Sequence, residues 1–516
     1  MITSGFNPKE LEQDWTAALR KLAADRVVER LWEGDHTVIQ PDPTEVENRL
    51  GWLNVIEDSL RQWPRWVLTA DEIAEGGSHA AQGEFDHVLI LGMGGSSLFP
   101  EVLARTFAPG EGFPELIVLD STDPAAILRV AEQCDPDRTI VVAASKSGST
   151  IETRSHLAYF WNRLPLGSQF VAITDPGSDL EALAASRDFR FTAHGVAQIG
   201  GRFSALSAFG MLPGALMGLD ADDLLCTAEE AAALLGLEVP AEDHLGCQLG
   251  ALIAVAAQHG RDKLTFLIEE PLAAFGAWVE QLIAESTGKH GVGILPVVGE
   301  PADSPDAEHR LYVVIGDVDL SSFGEDGLPG PSVHLGVEEP QDMGAQVFLW
   351  EFATAIAGVV LGINPFDQPD VESAKLAARE ILANRGEPPA ETTLQGALDQ
   401  LRSGDALVIG AFVDPALEPE LQAARLALGR KAGVATTLGI GPRFLHSTGQ
   451  LHKGGPDRMV FVQVVSTDDV EIAIPGESFG FGELKQAQAD GDLAALRASG
   501  KRAFRVPLSE LLQAGQ

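Results

Sequence analysis

The apolar positions of this chain fall into short unbroken runs separated by segments of helical length. "HVLILGMGG" (87–95), "ELIVLDS" (115–121), "TIVVAAS" (139–145) and "QFVAITD" (169–175) follow one another in this way. Strands that are apolar along their whole length are buried on both faces, which predicts a parallel sheet covered by helices on each side. Before them the pattern is helical up to about residue 80, and Asn7-Pro8 with Glu10 and Glu12 behind it predicts a helix start. After "LGLEVPAEDHL" (235–245), which reads as a linker, a second series begins with an Ala-rich helix near 245–258. It continues with "KLTFLIEE", "LYVVIGDV" and "SVHLGVEE" and closes in a long helix after Pro369. The Pro/Glu-rich "NRGEPPAETT" (384–393) marks the next boundary. Beyond it "ALVIGAFV", "VATTLGI", "MVFVQVV" and "RAFRVPL" surround a helix near 417–432. The expected organisation is an N-terminal helical segment (1–50), an α/β domain (51–235), a second α/β domain (236–390) and a C-terminal α/β segment (391–516). No short-period repeat is visible, which argues against solenoids and propellers.

Composition narrows the function. The 516 residues carry a formal net charge of −39, which repels nucleic acid and anionic membrane surfaces, so neither is expected as a partner. Any site for an anion must then be built locally from Lys, Arg and backbone dipoles. Three cysteines without metal-ligand or C-x-x-C spacing fit a reducing cytoplasm. The N-terminus shows no secretion signal. The longest apolar stretches, near 249–257 and 352–363, are shorter than the ~20 residues of a membrane span. A cytoplasmic protein is expected.

Two loops suggest phosphate chemistry. In "VLILGMGGSSLFP" (88–100) a strand, a Gly-rich turn and a helix start follow one another. Glycines let backbone N–H groups approach an anion, and the helix N-terminus supplies partial positive charge. The sixth position of a G-x-G-x-x-G fingerprint is Ser97, and the hydroxyls of Ser96 and Ser97 suit a terminal phosphate or sugar better than a pyrophosphate. Asp120, ending the next strand, is the one feature placed for a dinucleotide ribose. "SKSGST" (145–150) again follows a buried strand and opens a helix. Its hydroxyls, Lys146 and Gly148 form a dense anion nest. Two cradles on one sheet predict a phosphosugar held at two points. Gly200, Gly201 and Arg202 precede an apolar helix, where the arginine would stabilise an anionic intermediate or pair with an acid. Glu285 sits in a largely apolar segment, which favours a raised pKa and general-base work, or is a surface helix glutamate. Gln368 and Lys375 read equally as loop and solvated groups. His446 and His452, six apart, match no common metal-ligand spacing and suit acid/base chemistry instead.

Taken together, residues 88–456 resemble the glucose-6-phosphate isomerase family of the sugar-isomerase-domain superfamily. "GMGGSSL" resembles its first phosphosugar loop and "SKSGSTIET" its phosphate-binding S-K-T-x-T-T-x-E-T. "GGRFSALSAFGMLP", "EQLIAESTGK" and "FDQPDVESAK" resemble three further family segments in the family's order. Asp370 stands where the family usually has glycine. The family's H-x-x-x-Q-L segment appears as His446, Gln450 and Leu451, about eighty residues after FDQ instead of before it. That order resembles the isomerase half of fused transaldolase–isomerase proteins.

The resemblance implies two flavodoxin-like sugar-isomerase domains, each a parallel sheet with helices on both faces, plus the C-terminal α/β segment. It implies aldose–ketose isomerisation of glucose 6-phosphate and fructose 6-phosphate through a cis-enediol, with no metal and no organic cofactor. Glu285 would be the proton-transfer base and Arg202 the stabiliser of the enediolate, with Lys375 and His446 opening the ring. Ser145, Lys146, Ser147 and Thr150 would hold the phosphate; Gly95, Ser96, Gly201, Gln281 and Gln368 would position the sugar. The family is usually dimeric, its ring-opening histidine supplied by the partner subunit. An isomerase of mannose phosphate or an amino sugar phosphate, a non-catalytic phosphosugar-binding regulator and a dehydrogenase are the competing readings.

Overall fold

The computed structural model describes residues 3–75, 85–384 and 389–515, without the side chains of 221–222, 325–326, 372–375 and 383–384. Its strands form three sheets. The first holds β2 (His87–Leu91), β3 (Glu115–Leu119), β4 (Thr139–Ala144), β5 (Phe170–Thr174) and β6 (Phe191–His194) in the order β3-β2-β4-β5-β6, all parallel. Every residue of β4 is buried, as an apolar strand in the middle of a doubly covered sheet must be.

The second sheet runs β1 (Ser4–Asn7), β10 (Ser332–Leu335), β9 (Arg310–Ile315), β7 (Lys263–Ile268), β8 (Leu295–Val298). Only β1 is antiparallel there, through Ser4 opposite Leu335 and Asn7 opposite Ser332. This corrects the N-terminal reading. Asn7 ends an edge strand, Pro8 follows it, and the first α-helix starts at Glu12. The local start signal at Asn7-Pro8 yields because Ser4–Asn7 cover the unpaired edge of β10, satisfying backbone groups that would otherwise be exposed there. The helix Glu12–Ala24 lies on the second unit too, Trp15 Nε1 donating to the Gln248 carbonyl at 2.9 Å.

The third sheet, β11 (Ala406–Phe412), β12 (Ala435–Ile440), β13 (Met459–Val465) and β14 (Arg502–Arg505), is parallel throughout, in the order β12-β11-β13-β14. Setting β1 aside, each sheet places its first strand between the second and the third. All three therefore have a topological switch point, where loops leave the carboxyl ends of neighbouring strands in opposite directions and open a crevice. Strands β6 and β8 are absent from the sequence reading. In β6 (FTAH) Ala193 alone is buried, and Pro296 interrupts β8 (LPVV), so neither reads as a continuous apolar run. Of the boundary at 384–393, residues 385–388 lie outside the described ones.

The helix Met343–Leu361 joins the units at their core. With the turn before it, 22 residues from Pro340 are long and apolar enough to cross a membrane, yet 83% of the apolar window is buried inside the protein. The apolar stretch is thus longer than the sequence reading allowed, because Gln346 and Glu351 interrupt it by composition while both lie buried. It packs on Leu245–Gln258 closely enough that a Cβ on Gly250 would meet the Ala353 carbonyl.

Candidate active site

The switch point of the first sheet lies between β2 and β4, and the loops leaving these strands are the two Gly/Ser-rich motifs. After β2, Gly94 turns with φ +55°, and a side chain there would meet the His446 carbonyl at 2.6 Å and Gln281 Nε2 at 3.0 Å. A Cβ on Gly95 would collide with the Gly201 carbonyl. The glycines of this loop therefore admit three other segments: 201–202, Gln281 and His446. A Cβ on Gly201 meets nothing within 4 Å, so that backbone borders open space. Ser96 is buried beside them.

After β4, Ser145 Oγ accepts from the Gly148 N–H at 3.1 Å and lies 3.2 Å from Thr150 Oγ1. Ser147 and Ser149 share a hydrogen bond at 2.7 Å. Thr150 is the N-cap of the helix Ile151–Arg163 but makes no side-chain cap bond, leaving the helix N–H groups to an anion. Lys146 points elsewhere: its Nζ donates to Asp175 Oδ1 at 2.8 Å and the Val196 carbonyl at 3.1 Å. Burial lowers its ammonium below the ordinary lysine value.

Arg202 and Glu285 form a buried ion pair, with side chains 1% and 8% exposed, closed by Arg202 Nη1 on Glu285 Oε1 at 3.0 Å. Every other nitrogen of the guanidinium is also used: Nε donates to Ser286 Oγ (2.9 Å), and Nη2 to the carbonyls of Pro365 (2.5 Å) and Asp367 (3.1 Å). Gln281, one turn before Glu285 on the helix Phe275–Thr287, donates from Nε2 to Glu285 Oε2 at 3.0 Å and to the His446 carbonyl at 2.9 Å. The apolar surroundings expected for Glu285 from sequence are replaced by two donors, one cationic. A carboxylate accepts about four hydrogen bonds, so two donors leave lone pairs free for a substrate proton.

Beside this cluster Lys289, fully buried, donates to the carbonyls of Asn364 and Asp367 at 2.7 Å and to Asp367 Oδ1 at 2.6 Å. Burial and the neighbouring Arg202 lower its ammonium to about 8. Arg202 and Lys289 together hold the 364–367 loop, which carries the exposed Gln368. Lys375 lies in the following helix, Val371–Asn384, with its side chain outside the described residues.

His446 arrives from the third sheet, in the turn Arg443–His446 after β12. Its Nε2 is 2.9 Å from Glu152 Oε1 in the first turn of the helix Ile151–Arg163. Burial alone would raise the Glu152 carboxyl, but the adjacent imidazole outweighs it and brings the group below the ordinary glutamate value. An ionised Glu152 accepts only, so Nε2 carries the proton and Nδ1 is the nitrogen left for acid/base exchange. Arg443 anchors the turn on the first unit, its Nε on Asp120 Oδ2 at 2.7 Å and Nη2 at 2.5 Å from Glu101 Oε2. Asp120 is thereby committed to a guanidinium, which removes it as a ribose ligand. Gln450 clasps Asp370, accepting from its N–H at 3.0 Å and donating to its Oδ2 at 2.7 Å. His452 lies in the core between the rings of Phe444 and Phe461, and burial lowers it to about 3.

A cleft of about 330 Å³ opens beside the 145–150 loop, lined among others by Ser147, Thr150, Glu152, Arg379, His446 and Gln488. Of the predicted residues, Ser147, Thr150 and His446 border it. Arg202, Gln281 and Glu285 form the cluster that Gln281 ties to the His446 backbone, and Gly95, Ser96 and Gly201 pack at their junction. Ser145 braces the loop from within, Lys146 turns to Asp175, and Gln368 is at the surface. The sequence reading omitted Glu152, Lys289 and Gln488. Glu152 and Lys289 stand inside motifs already quoted; Gln488 carries no local signal at all.

Residues 51–294 match the phosphoglucose isomerase family. The glucose-6-phosphate isomerase of Rubrobacter xylanophilus is 28% identical over 383 residues, covering 61% of this chain and 86% of that one. The probable glucose-6-phosphate isomerase of Methanococcus maripaludis is 25% identical over 398 residues, covering 66% and 85%. Among solved structures, a hypothetical protein of Thermus thermophilus superposes with TM-score 0.58 at 26% identity, covering 74% of this chain and all of that one. A glucose-6-phosphate isomerase of Chlamydia trachomatis shares the fold, with TM-score 0.57 at 22% identity over 72% and 86% of the two chains. Arg202, Gln281, Glu285 and both loops of the first sheet all lie within the segment that matches the phosphoglucose isomerase family, residues 51–294 of this chain.

Proposed function

We propose that the protein is an enzyme that interconverts glucose 6-phosphate and fructose 6-phosphate. The observation that carries the reading is the buried Arg202–Glu285 pair, linked through Gln281 to the turn that sets His446 beside the phosphate loop. Ser147 and Thr150, with the N–H groups of the helix they precede, hold the substrate phosphate, and Ser145 keeps their loop in shape. Lys146 contributes by bracing the loop on Asp175. Held by its phosphate, the sugar presents C1 and C2 to a fixed base, which turns remote binding energy into orientation. His446 and Lys375 move the proton between the ring oxygen and O1. Glu285 then takes the C2 proton; the C–H electrons become the C1–C2 double bond and the C1=O1 π electrons move to O1, giving an enediolate that Arg202 faces. O1 takes up the proton that O2 gives up, the C2=O2 bond forms, and the double-bond electrons take the proton that Glu285 returns at C1. Gly95, Ser96, Gly201, Gln281 and Gln368 border the sugar.

The dyad His446–Glu152 is made within one chain, and a homodimer is part of this reading without being needed to complete that pair. The late position of His446 is read as a likeness to the isomerase half of transaldolase–isomerase fusions, and the compartment as cytoplasm. The test is direct: fructose 6-phosphate is supplied and glucose 6-phosphate is followed through an NADP-linked dehydrogenase. Turnover of fructose 6-phosphate well above that of mannose 6-phosphate and glucosamine 6-phosphate is expected. Binding of the sugar phosphate without turnover would replace the enzyme by a sensor.

A further inference from the structure

The helix Phe481–Ala498 belongs to the last unit of the chain, yet it reaches the cleft. Lys485, Gln488 and Asp492, spaced i, i+3 and i+7, occupy one face of a helix and are all buried. Lys485 Nζ donates to Asp123 Oδ2 at 2.8 Å, to Ser466 Oγ at 3.0 Å and to Asp468. Asp492 accepts from Lys453 Nζ at 2.6 Å. At the start of the helix Phe481 and Leu484 pack into the first unit's core with Ile127 and Leu157. Between these anchors Gln488 Nε2 donates to Glu152 Oε1 at 2.6 Å, the same oxygen that His446 binds. Its Oε1 accepts from Thr122 Oγ1 at 2.9 Å. The ionised carboxylate only accepts, so it fixes the N–H end of the amide toward itself and leaves the oxygen to the Thr122 hydroxyl.

From this geometry we infer that Gln488 is a positioning residue for the His446–Glu152 pair, making the helix Phe481–Ala498 part of the isomerase site. The inference rests on the isomerase reading above. A second donor on Oε1 holds Glu152 in one rotamer and spreads its charge, so the carboxylate aligns His446 without drawing its proton away. Other charged or titratable groups near the pair are His156 on the Glu152 helix, Arg443 with Asp120 and Glu101, and Lys453 with Asp492. Among the described residues none of them hydrogen-bonds Glu152 Oε1, and the substitutions below leave all of them in place.

Gln488→Met keeps the volume and removes the donor. The expected result is a kcat about tenfold lower with KM for fructose 6-phosphate within about twofold, as for loss of one hydrogen bond to a charged group. The pH–rate limb of His446 should move upward, because Glu152 becomes the stronger acceptor. Gln488→Glu sets two carboxyls together. Its deficit relative to wild type should be largest at pH 8 and shrink toward pH 6, where one of the pair takes a proton and donates. Thr122→Val, which frees the amide to turn, gives a smaller loss in the same direction and serves if Gln488→Met fails to fold. Folded Gln488→Met and Gln488→Glu with wild-type kcat and pH profile, alongside an inactive Glu152→Gln, would overturn the role of Gln488 and leave the isomerase reading intact. An inactive wild-type protein would overturn both.

Discussion

Replacing Glu285 by glutamine tests the chemistry most sharply, because the structure says what the change keeps and what it removes. The carboxamide oxygen can still accept from Arg202 Nη1, now at 3.0 Å from Oε1. Its NH2 then faces Gln281 Nε2, which stands 3.0 Å from Oε2, donor against donor. Gln281 relieves the conflict by turning its amide, whose oxygen has no partner among the described residues, but gives up its bond to the His446 carbonyl. The buried guanidinium loses its carboxylate and keeps Ser286 Oγ and the carbonyls of Pro365 and Asp367. Stranding a buried charge costs about 3–5 kcal/mol; with those acceptors kept, about 3 is expected. Loss of a general base costs about 10²–10⁴ in rate, or roughly 3–5 kcal/mol of barrier. Glu285→Gln should therefore melt lower, remain folded at 25 °C, and lose at least a hundredfold in kcat by the coupled dehydrogenase assay. Because the phosphate loop is untouched, KM should stay within about threefold. A folded Glu285→Gln enzyme within fivefold of wild-type kcat would refute the assignment of the base.

Two further outcomes follow. Thr150→Val removes a hydroxyl from the cleft beside the phosphate loop without touching the Arg202–Glu285 cluster. KM for fructose 6-phosphate should rise about tenfold with kcat little changed, the mark of binding lost equally from ground and transition states; an unchanged KM would remove Thr150 from the phosphate site. Burial lowers His156 and His244 to about 4 and His452 to about 3, against 6.5 ordinarily. The unfolded chain therefore takes up these protons first as pH falls. Stability is complete above pH 6.5 and is lost below it, by about 1.4 kcal/mol per pH unit for each histidine. Urea midpoints measured from pH 7 to pH 4 should fall, and His452→Phe, which keeps a ring between Phe444 and Phe461, should shallow that slope by about one proton.

The sequence by itself determined the doubly covered parallel sheets, since β2, β4 and β5 read as continuous apolar runs, and the two Gly/Ser-rich loops, since glycines and hydroxyls stand together at strand ends. Arg202, Gln281 and Glu285 came together as a set only through the resemblance of their segments to a known family; read alone, each had an ordinary structural reading beside the functional one. Tertiary structure decided what these groups meet. Lys146 turns to Asp175, Glu285 to Arg202, and Asp120 to Arg443, each pairing made across more than twenty residues of chain and invisible to local pattern. Ser4–Asn7 became a strand because an unpaired edge of β10 outweighed a helix-start signal. His446, Glu152 and Gln488 come from three elements between 42 and 336 positions apart. Only the docking of the third sheet on the first brings them within hydrogen-bond reach. Local sequence sets backbone propensity and burial pattern over a few residues, whereas a hydrogen bond between distant segments depends on how whole units pack.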